Sequence, residues 1–378
     1  MSARPLAELL PAAAHLLGVR GAPTGDPHLA AVLGKALGAP RHLVVLLVDG
    51  MGALQLAEHA AQAPRLAAMA ELGPLAAPFP STTAVSLTSL GTGLPPGMHG
   101  IVGTSFRLDD GSVLAPLSWG AHPNPVATQP EPTVLERAAA AGVRMTTVAP
   151  SAHAGSGLTR AALRGGEYAG ADTLPARLEM TAGAIHLART EGGASLTYVY
   201  WPDLDKAGHL HGVASAAYRA ELSRVDSLVA GLLALTADDV ALLVTADHGI
   251  IDVPDERRFD LEAAPALRRD VVSVLGEPRV RHVYALSGRA ERVRRIWADE
   301  LGDRAEVRTR EGVFELLGPV DDWYADRIGD VVAIAREDWA LVSDRVDAWV
   351  SGLRGQHGGL TDPEVLVPLR AAGGQLLG

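Results

Sequence analysis

Three short apolar runs constrain this chain more than any other feature. HLVVLLV (42–48), SLTYVYW (195–201) and DVALLVTA (239–246) hold almost no charge, and each falls far short of the roughly 20 residues that span a membrane. Runs of this length without polar alternation read as strands buried on both faces. Helical patterns lie between them: TVLERAAAAG (133–142), ADTLPARLEMTAGAIHLART (171–190), and a long third over roughly 215–235. VRMTTVAP (143–150) adds a further strand. The alternation predicts an α/β fold with a mostly parallel central sheet flanked by helices. Near the N-terminus, Glu8, Pro11 and His15 interrupt a leucine-rich stretch. Leu6, Leu9, Leu10 and Leu17 therefore read as a packed helix rather than a leader, which predicts a cytoplasmic protein.

The rhythm changes after residue 250. VVSVLGEPRVRHVYAL (271–286) reads as a hairpin with Gly276 and Pro278 at its turn. A helix (291–301), a strand (305–309), a helix (311–318) and a strand (329–336) follow. The expectation is a catalytic core of residues 1–250 and 346–378, interrupted by a smaller α/β lobe of residues 251–345. Both ends of that lobe leave the core beside candidate site residues, so it is placed to wall the site, with Trp323, Tyr324 and Arg327 as contacts.

Composition narrows the chemistry. The 378 residues contain no cysteine, which excludes disulfides, thiol catalysis and cysteine-held metals. Thirteen histidines remain, and any metal must be bound by imidazole and carboxylate. The net charge of −11 argues against a nucleic-acid polymer or an anionic membrane as partner.

Five segments place ligand-type residues at or after strand ends, where open α/β sheets hold their sites. Asp49 follows the first apolar run. Ser81, Thr82 and Thr83 precede a helix-like stretch, where a hydroxyl can cap the helix or act beside its free amides. Asp205 and His209 are one helical turn apart, with Asp203 and His211 as competitors. Asp247 and His248 end the third run, and Gly249 lets the chain leave the extended form. His357 stands between glycines in GQHGG.

As a set, and with the block TGLPPGMHGI, these residues resemble the nucleotide pyrophosphatase/phosphodiesterase family of the alkaline phosphatase superfamily over roughly residues 42–370. The resemblance implies two Zn²⁺ ions per chain, with Mn²⁺ as the other fitting metal. One would be held by Asp205, His209 and His357. The other would be held by Asp49, Asp247 and His248, with the Thr83 oxygen completing it. It implies Thr83 as nucleophile, nine residues before Thr92 of the TGLPPGMHGI block, with Thr82 the fallback and Ser81 the helix cap. The reaction implied is phosphodiester or nucleotide pyrophosphate hydrolysis through a phospho-threonine, which makes a small phosphate ester the expected partner; the resemblance assigns no oligomeric state. A phosphomonoesterase, a phosphonoacetate-type hydrolase and a metal-binding protein without turnover are the alternatives. Two positions depart from the family pattern. Ala84-Val85-Ser86 replaces Phe-Pro-Asn after the nucleophile, and Thr104 stands where relatives carry an asparagine that binds the phosphoryl oxygen. No Lys or Arg lies between Phe79 and Val102, which favours a singly charged diester over a dianionic monoester. Arg107 is the nearest cation. Phe79, Pro80, Phe106 and Trp119 are the expected apolar wall.

Overall fold

The computed structural model describes residues 3–20 and 27–373. Residues 21–26 of the N-terminal reading and 374–378 of the expected core lie outside the described residues. Of the N-terminal leucines, Leu6, Leu9 and Leu10 are fully buried on a 3-10 turn and the helix Leu9–Leu16.

The central sheet has seven strands. We label β1 (His42–Val48), β2 (Arg144–Ala149), β3 (Glu167–Gly170), β4 (Ser195–Trp201) and β5 (Val240–Thr245). They lie in the order β5-β1-β4-β2-β3, all parallel. On the β5 side, Arg370–Gly373 pairs antiparallel with β5, and Ala70–Glu71 pairs antiparallel with Arg370–Gly373 and so runs in the direction of β5. Every residue of β1, β4 and β5 is buried, as uninterrupted apolar runs require when helices cover both faces. The covering helices include α1 (Thr83–Thr92), α2 (Val134–Ala140), α3 (Leu174–Glu191), α4 (Asp203–His211) and α5 (Ala216–Leu233). Helix α2 starts on a capping box: Thr133 accepts from the Glu136 amide, and the Glu136 carboxylate accepts from the Thr133 amide.

A second sheet is built from β6 (Val271–Glu277), β7 (Val280–Ala285), β8 (Ala305–Thr309) and β9 (Val331–Ala335), in the order β6-β7-β9-β8, all antiparallel. The expected hairpin is present with a tighter turn than predicted. Glu277 pairs with Val280, so Pro278 and Arg279 form the turn and Gly276 lies inside the strand. The expected helix at 311–318 is a 3-10 turn followed by a single α turn, Phe314–Leu317. Side chains of β9 alternate between two cores. Val332 and Ile334 join the main apolar cluster, whereas Val331, Ala333 and Ala335 pack with Val293, Trp297 and Leu301 in a cluster of their own. No helix among the described residues is long and apolar enough to cross a membrane.

Candidate metal centre and nucleophile

The neighbouring strands β5, β1 and β4 each deliver an acidic residue just past their C-terminal ends. Asp49 follows β1, Asp247 follows β5, and Asp205 sits in the first turn of α4. Gly50 has φ 71°, and a Cβ there would lie 2.8 Å from the Asp205 Cβ. Only glycine permits this turn and this approach, and the contact draws the β1 and α4 segments together.

His248 is the junction of the site. Its Nε2 is 3.5 Å from Asp49 Oδ1, 3.4 Å from Asp247 Oδ2 and 3.1 Å from Thr83 Oγ1. Its ring stacks on His357 at 3.7 Å. Asp205 Oδ2 is 3.2 Å from His209 Nε2, His209 Nε2 is 3.2 Å from His357 Nε2, and His357 Nε2 is 4.0 Å from Asp205 Oδ1. Ligand atoms of Asp49, Asp247 and His248 lie within 4.8 Å of one another, as do those of Asp205, His248 and His357. All six expected ligands and Thr83 therefore meet in one place. Asp203 starts α4, and His211 is exposed at its end.

The second atoms of these ligands fix their orientation. His209 Nδ1 is 2.7 Å from the Gly355 carbonyl, His357 Nδ1 3.0 Å from that of Ser81, and His248 Nδ1 3.1 Å from that of Gly249. A carbonyl only accepts, so each Nδ1 carries a proton and each Nε2 faces inward, where it offers a lone pair to an ion whenever it is itself unprotonated. Asp247 Oδ1 accepts from the Gly50 and His248 amides. The Tyr200 hydroxyl donates to Asp49 Oδ2. What remains is Asp49 Oδ1, Asp205 Oδ1 and Asp247 Oδ2, all buried and without a hydrogen-bond partner. Three orphaned carboxylate oxygens beside inward lone pairs form a nitrogen/oxygen donor set with no thiolate. Such a set suits zinc-like divalent ions, so the residues present fit the metals that the resemblance implies.

The electrostatics agree with that donor set. Burial pushes the Asp49 carboxyl well above its usual range, and the charges of Asp247 and Asp205 add to the effect. Asp247 is also raised, by burial first, then by Asp205, with His248 opposing. Asp205 moves the other way. Burial would raise it, but the charge and hydrogen bond of His209 outweigh this and hold it low. His209 is raised because Asp205 outweighs its burial. Burial, then His248, holds His357 well below the usual imidazole range.

Thr83 is the first residue of α1, where backbone amides lack partners within the helix. It also lines a cleft of about 190 Å³ with Leu87, Leu117, His153, Leu158, Leu163, Tyr168, Tyr198 and Tyr200. The helix cap differs from expectation. Thr82, not Ser81, takes the cap position without using its side chain, and its Oγ1 is buried without a partner. The Ser81 hydroxyl instead donates to the Gly359 carbonyl at 2.9 Å. The Ser81 amide donates to the Gly358 carbonyl, so Ser81 joins the Thr83 turn to the His357 loop.

The expected wall is made by other residues. Phe79 and Phe106 are buried elsewhere in the core, and Trp119 packs against Gly157 with its indole N–H on the Pro123 carbonyl. Arg107 lies over the Tyr284 ring and lines a separate groove with Trp323. Arg327 donates to the carbonyls of Gly100 and Thr128, and Tyr324 packs on Gly100. Thr104 is partly buried and is not among the residues that line the cleft beside Thr83. Sequence reasoning missed Tyr200 and Glu277. Tyr200 had a legible signal: in β4 it shares a face with Tyr198, two residues away, and pairs with Leu47 two residues before Asp49. Glu277 had none, because its neighbours come from distant segments.

Comparison with known proteins agrees with this geometry. The family model of type I phosphodiesterase / nucleotide pyrophosphatase matches residues 43–360. Human ectonucleotide pyrophosphatase/phosphodiesterase family member 5 is 24% identical over 176 residues, 44% of this chain and 35% of that protein. The matched stretch thus spans about a third of that relative's length. The structure of murine ectonucleotide pyrophosphatase/phosphodiesterase 5, an inactive variant in complex with AMP, superposes with a TM-score of 0.69 at 18% identity, covering 88% of this chain and 87% of that one. Phosphonoacetate hydrolase from Sinorhizobium meliloti, in complex with phosphonoformate, gives 0.65 at 20% identity, covering 89% and 92%. The chain belongs to the type I phosphodiesterase / nucleotide pyrophosphatase family.

Proposed function

We propose that the protein is a metal-dependent phosphodiesterase that hydrolyses phosphodiester or nucleotide pyrophosphate bonds, with Thr83 as nucleophile. The observation that carries this reading is the place of Thr83 Oγ1: 3.1 Å from His248 Nε2, beside two buried carboxylates and at a helix N-terminus. Asp49, Asp247 and His248 would hold one ion, and Asp205, His209 and His357 a second, with His248 near enough to touch both groups. When bound, zinc ions supply Lewis acidity that lowers the pKa of a hydroxyl and balances charge on the phosphoryl and leaving oxygens.

Thr83 Oγ1 bonds to phosphorus, its proton goes to solvent, and the P–O bond to the leaving alcohol or phosphate breaks. Water then displaces Thr83 and restores its hydroxyl. The free amides of the first turn of α1 favour the phosphoryl anion. Tyr200 keeps its proton, because burial and the nearby Asp49 charge raise its pKa well above the usual value, and so holds Asp49 by donation.

The cleft beside Thr83 supports a diester. Its lining is tyrosine, leucine, small hydroxyls and one histidine, without Lys or Arg. A dianionic monoester gains from an added fixed cation, whereas a diester needs room for a second ester group. The AMP bound by the murine neighbour points to a nucleotide-sized group as one occupant. The fold shared with phosphonoacetate hydrolase keeps C–P cleavage as a second reading, against which stands the lack of a cation for the substrate carboxylate among the cleft residues. Residues 251–345 fit an inserted lobe, since the second sheet carries its own apolar cluster.

The test is turnover of bis-p-nitrophenyl phosphate, p-nitrophenyl phosphate and phosphonoacetate by protein of measured metal content. The diester should lead by about tenfold in kcat/KM, or roughly 1.4 kcal/mol of transition-state binding. Chelation should abolish turnover, and Zn²⁺ or Mn²⁺ should restore it. A monoester or phosphonoacetate preference of that size would overturn the substrate assignment.

A further inference from the structure

The loop that carries His357 is gripped on both sides of one residue. The Gly359 carbonyl accepts from the Ser81 hydroxyl at 2.9 Å, and the Gly359 amide donates to Glu364 Oε1 at 2.8 Å. Ser81 belongs to the Thr83 turn, whereas Glu364 is tied to the second sheet. Its partner there is Arg279, in the turn between β6 and β7, and both side chains are fully buried. Arg279 forks onto the carboxylate, Nε to Oε1 and Nη2 to Oε2, each at 2.8 Å. Its guanidinium also donates to the carbonyls of Trp339 and Glu337. Glu364 Oε2 accepts from the Thr361 hydroxyl and amide as well, at 2.6 and 3.4 Å. With the Gly359 amide, every lone pair of the carboxylate is used.

The glycines of GQHGG let the loop press against this clamp. A Cβ on Gly359 would lie 2.7 Å from Glu364 Oε2 and 2.8 Å from Arg279 Nη2. One on Gly358, at φ 123°, would lie 2.5 Å from Glu277 Oε1, at the end of β6. The main chain of residue 364 serves the other group of ligands. Its carbonyl accepts from the Gly249 amide at 2.8 Å, next to His248, a bond that does not involve the carboxylate. Side chain and backbone of one residue therefore reach the two groups of ligands separately.

We propose that Glu364, braced by Arg279, is a positioning residue for the metal centre, a role that rests on the metal-dependent reading above. By fixing the Gly359 amide, the carboxylate holds His357 against Asp205 and His209 and so sets the affinity for the ion those three would bind. The group of Asp49, Asp247 and His248 does not depend on it. The second sheet is then part of the frame of the site.

The experiment compares wild type with Arg279→Met, Glu364→Leu, the double variant Arg279→Met/Glu364→Leu, and Arg279→Lys. It reads the two Zn²⁺ affinities by competition with a chromophoric chelator, with Asp49→Asn and Asp205→Asn as controls that assign the sites. It also reads urea unfolding and hydrogen exchange of metal-free protein. Each single truncation strands a buried charge and should lower the urea midpoint, whereas the double variant removes both charges and should recover most of that loss. Affinity for the ion of Asp205, His209 and His357 should nevertheless stay at least about tenfold below wild type in all three, with the other ion within about threefold. Amides of residues 357–361 should exchange at least about tenfold faster, while β1 and β5 keep their protection. Arg279→Lys keeps the charge but not the fork, and should show a smaller loss confined to the same ion. Recovery of that affinity together with stability in the double variant would overturn the proposal, as would equal weakening of both ions. Where a truncation does not fold, Arg279→Lys decides between a loss at one ion and none. If wild type binds no metal, the functional reading fails on its own, and unchanged exchange at 357–361 in the metal-free variants would still remove the role of Glu364.

Discussion

The two halves of the candidate metal centre are built on opposite charge balances. The half on the strand ends holds Asp49, Asp247 and His248, all 4% exposed or less: two carboxylates for one imidazole. The half on α4 and the 357 loop holds Asp205, His209 and His357: one carboxylate for two imidazoles. Burial raises the two carboxyls of the deep half, and the charge of Asp205 adds to both, with that of Asp247 adding to Asp49. In the outer half Asp205 and His209 compensate each other as an ion pair at 3.2 Å. A buried like-charged pair needs a cation or a proton, whereas an internal ion pair needs neither. The deep half is therefore organised for an ion, and the outer half tolerates its loss.

The strongest way to break this contrast is Thr83→Ala. If the deep half carries the chemistry, kcat should fall by about 10³-fold or more while both ions stay bound, read by single-turnover kinetics beside elemental analysis. Thr82→Ala should cost far less; the reverse pattern would move the nucleophile by one residue.

Arg279→Ala comes next. It breaks a pair in which both side chains are fully buried, so unfolding in denaturant should show a loss of about 3–5 kcal/mol. Glu364 also accepts from the Gly359 amide, so the outer ion should be lost before the deep one. Equal loss of both would show that the halves are not independent.

The charge imbalance itself predicts a gain. In chelated protein at about pH 8, Asp247→Asn should be more stable than wild type by roughly 1–3 kcal/mol. The sign follows from linkage. The folded pKa values of Asp49 and Asp247 are raised, so the folded wild type binds more protons than the unfolded chain and gains stability as pH falls. The margin of the variant should therefore shrink toward about pH 5, measurable by urea titration at several pH values. A margin independent of pH would remove the repulsion argument.

The smallest expected effect is the order of metal release. His209 has a raised pKa, and an imidazole must be neutral to bind. As pH falls from neutrality, the ion of Asp205, His209 and His357 should leave first, followed by competition with a chromophoric chelator. Simultaneous release would blur the two halves into one.

The same division explains what could be read from sequence. The deep half was legible because its ligands end runs whose burial is written in their own composition: β1 and β5 appear at the predicted residues within one or two positions. Asp205 and His209 were legible as a helical pair, and α4 supplies that helix. The cleft wall was not. Proximity in sequence to Thr83 suggested Phe79 and Phe106, but α1 turns those neighbours into the core, and the lining comes from β4, β3 and the segment after β2. Glu277 and Arg279 were invisible for a related reason. A hairpin turn with two charged residues reads as solvent-exposed surface, but Glu277 and Arg279 are buried where the second sheet meets the 357–364 segment.

Ser81 carries one more consequence. It holds the His357 loop through its carbonyl, amide and hydroxyl, across a sequence separation of 276 residues. Closing a loop of that length costs entropy that grows only slowly with length, about 0.6 kcal/mol per doubling, yet contacts this distant slow folding. During synthesis, strands β1 to β5 can assemble and gather Asp49, Thr83, Asp205, His209, Asp247 and His248 long before His357 leaves the ribosome. On the proposed function, the nascent chain would hold one ion without the other, and hydrolysis would be switched on only when the far loop is threaded against Ser81.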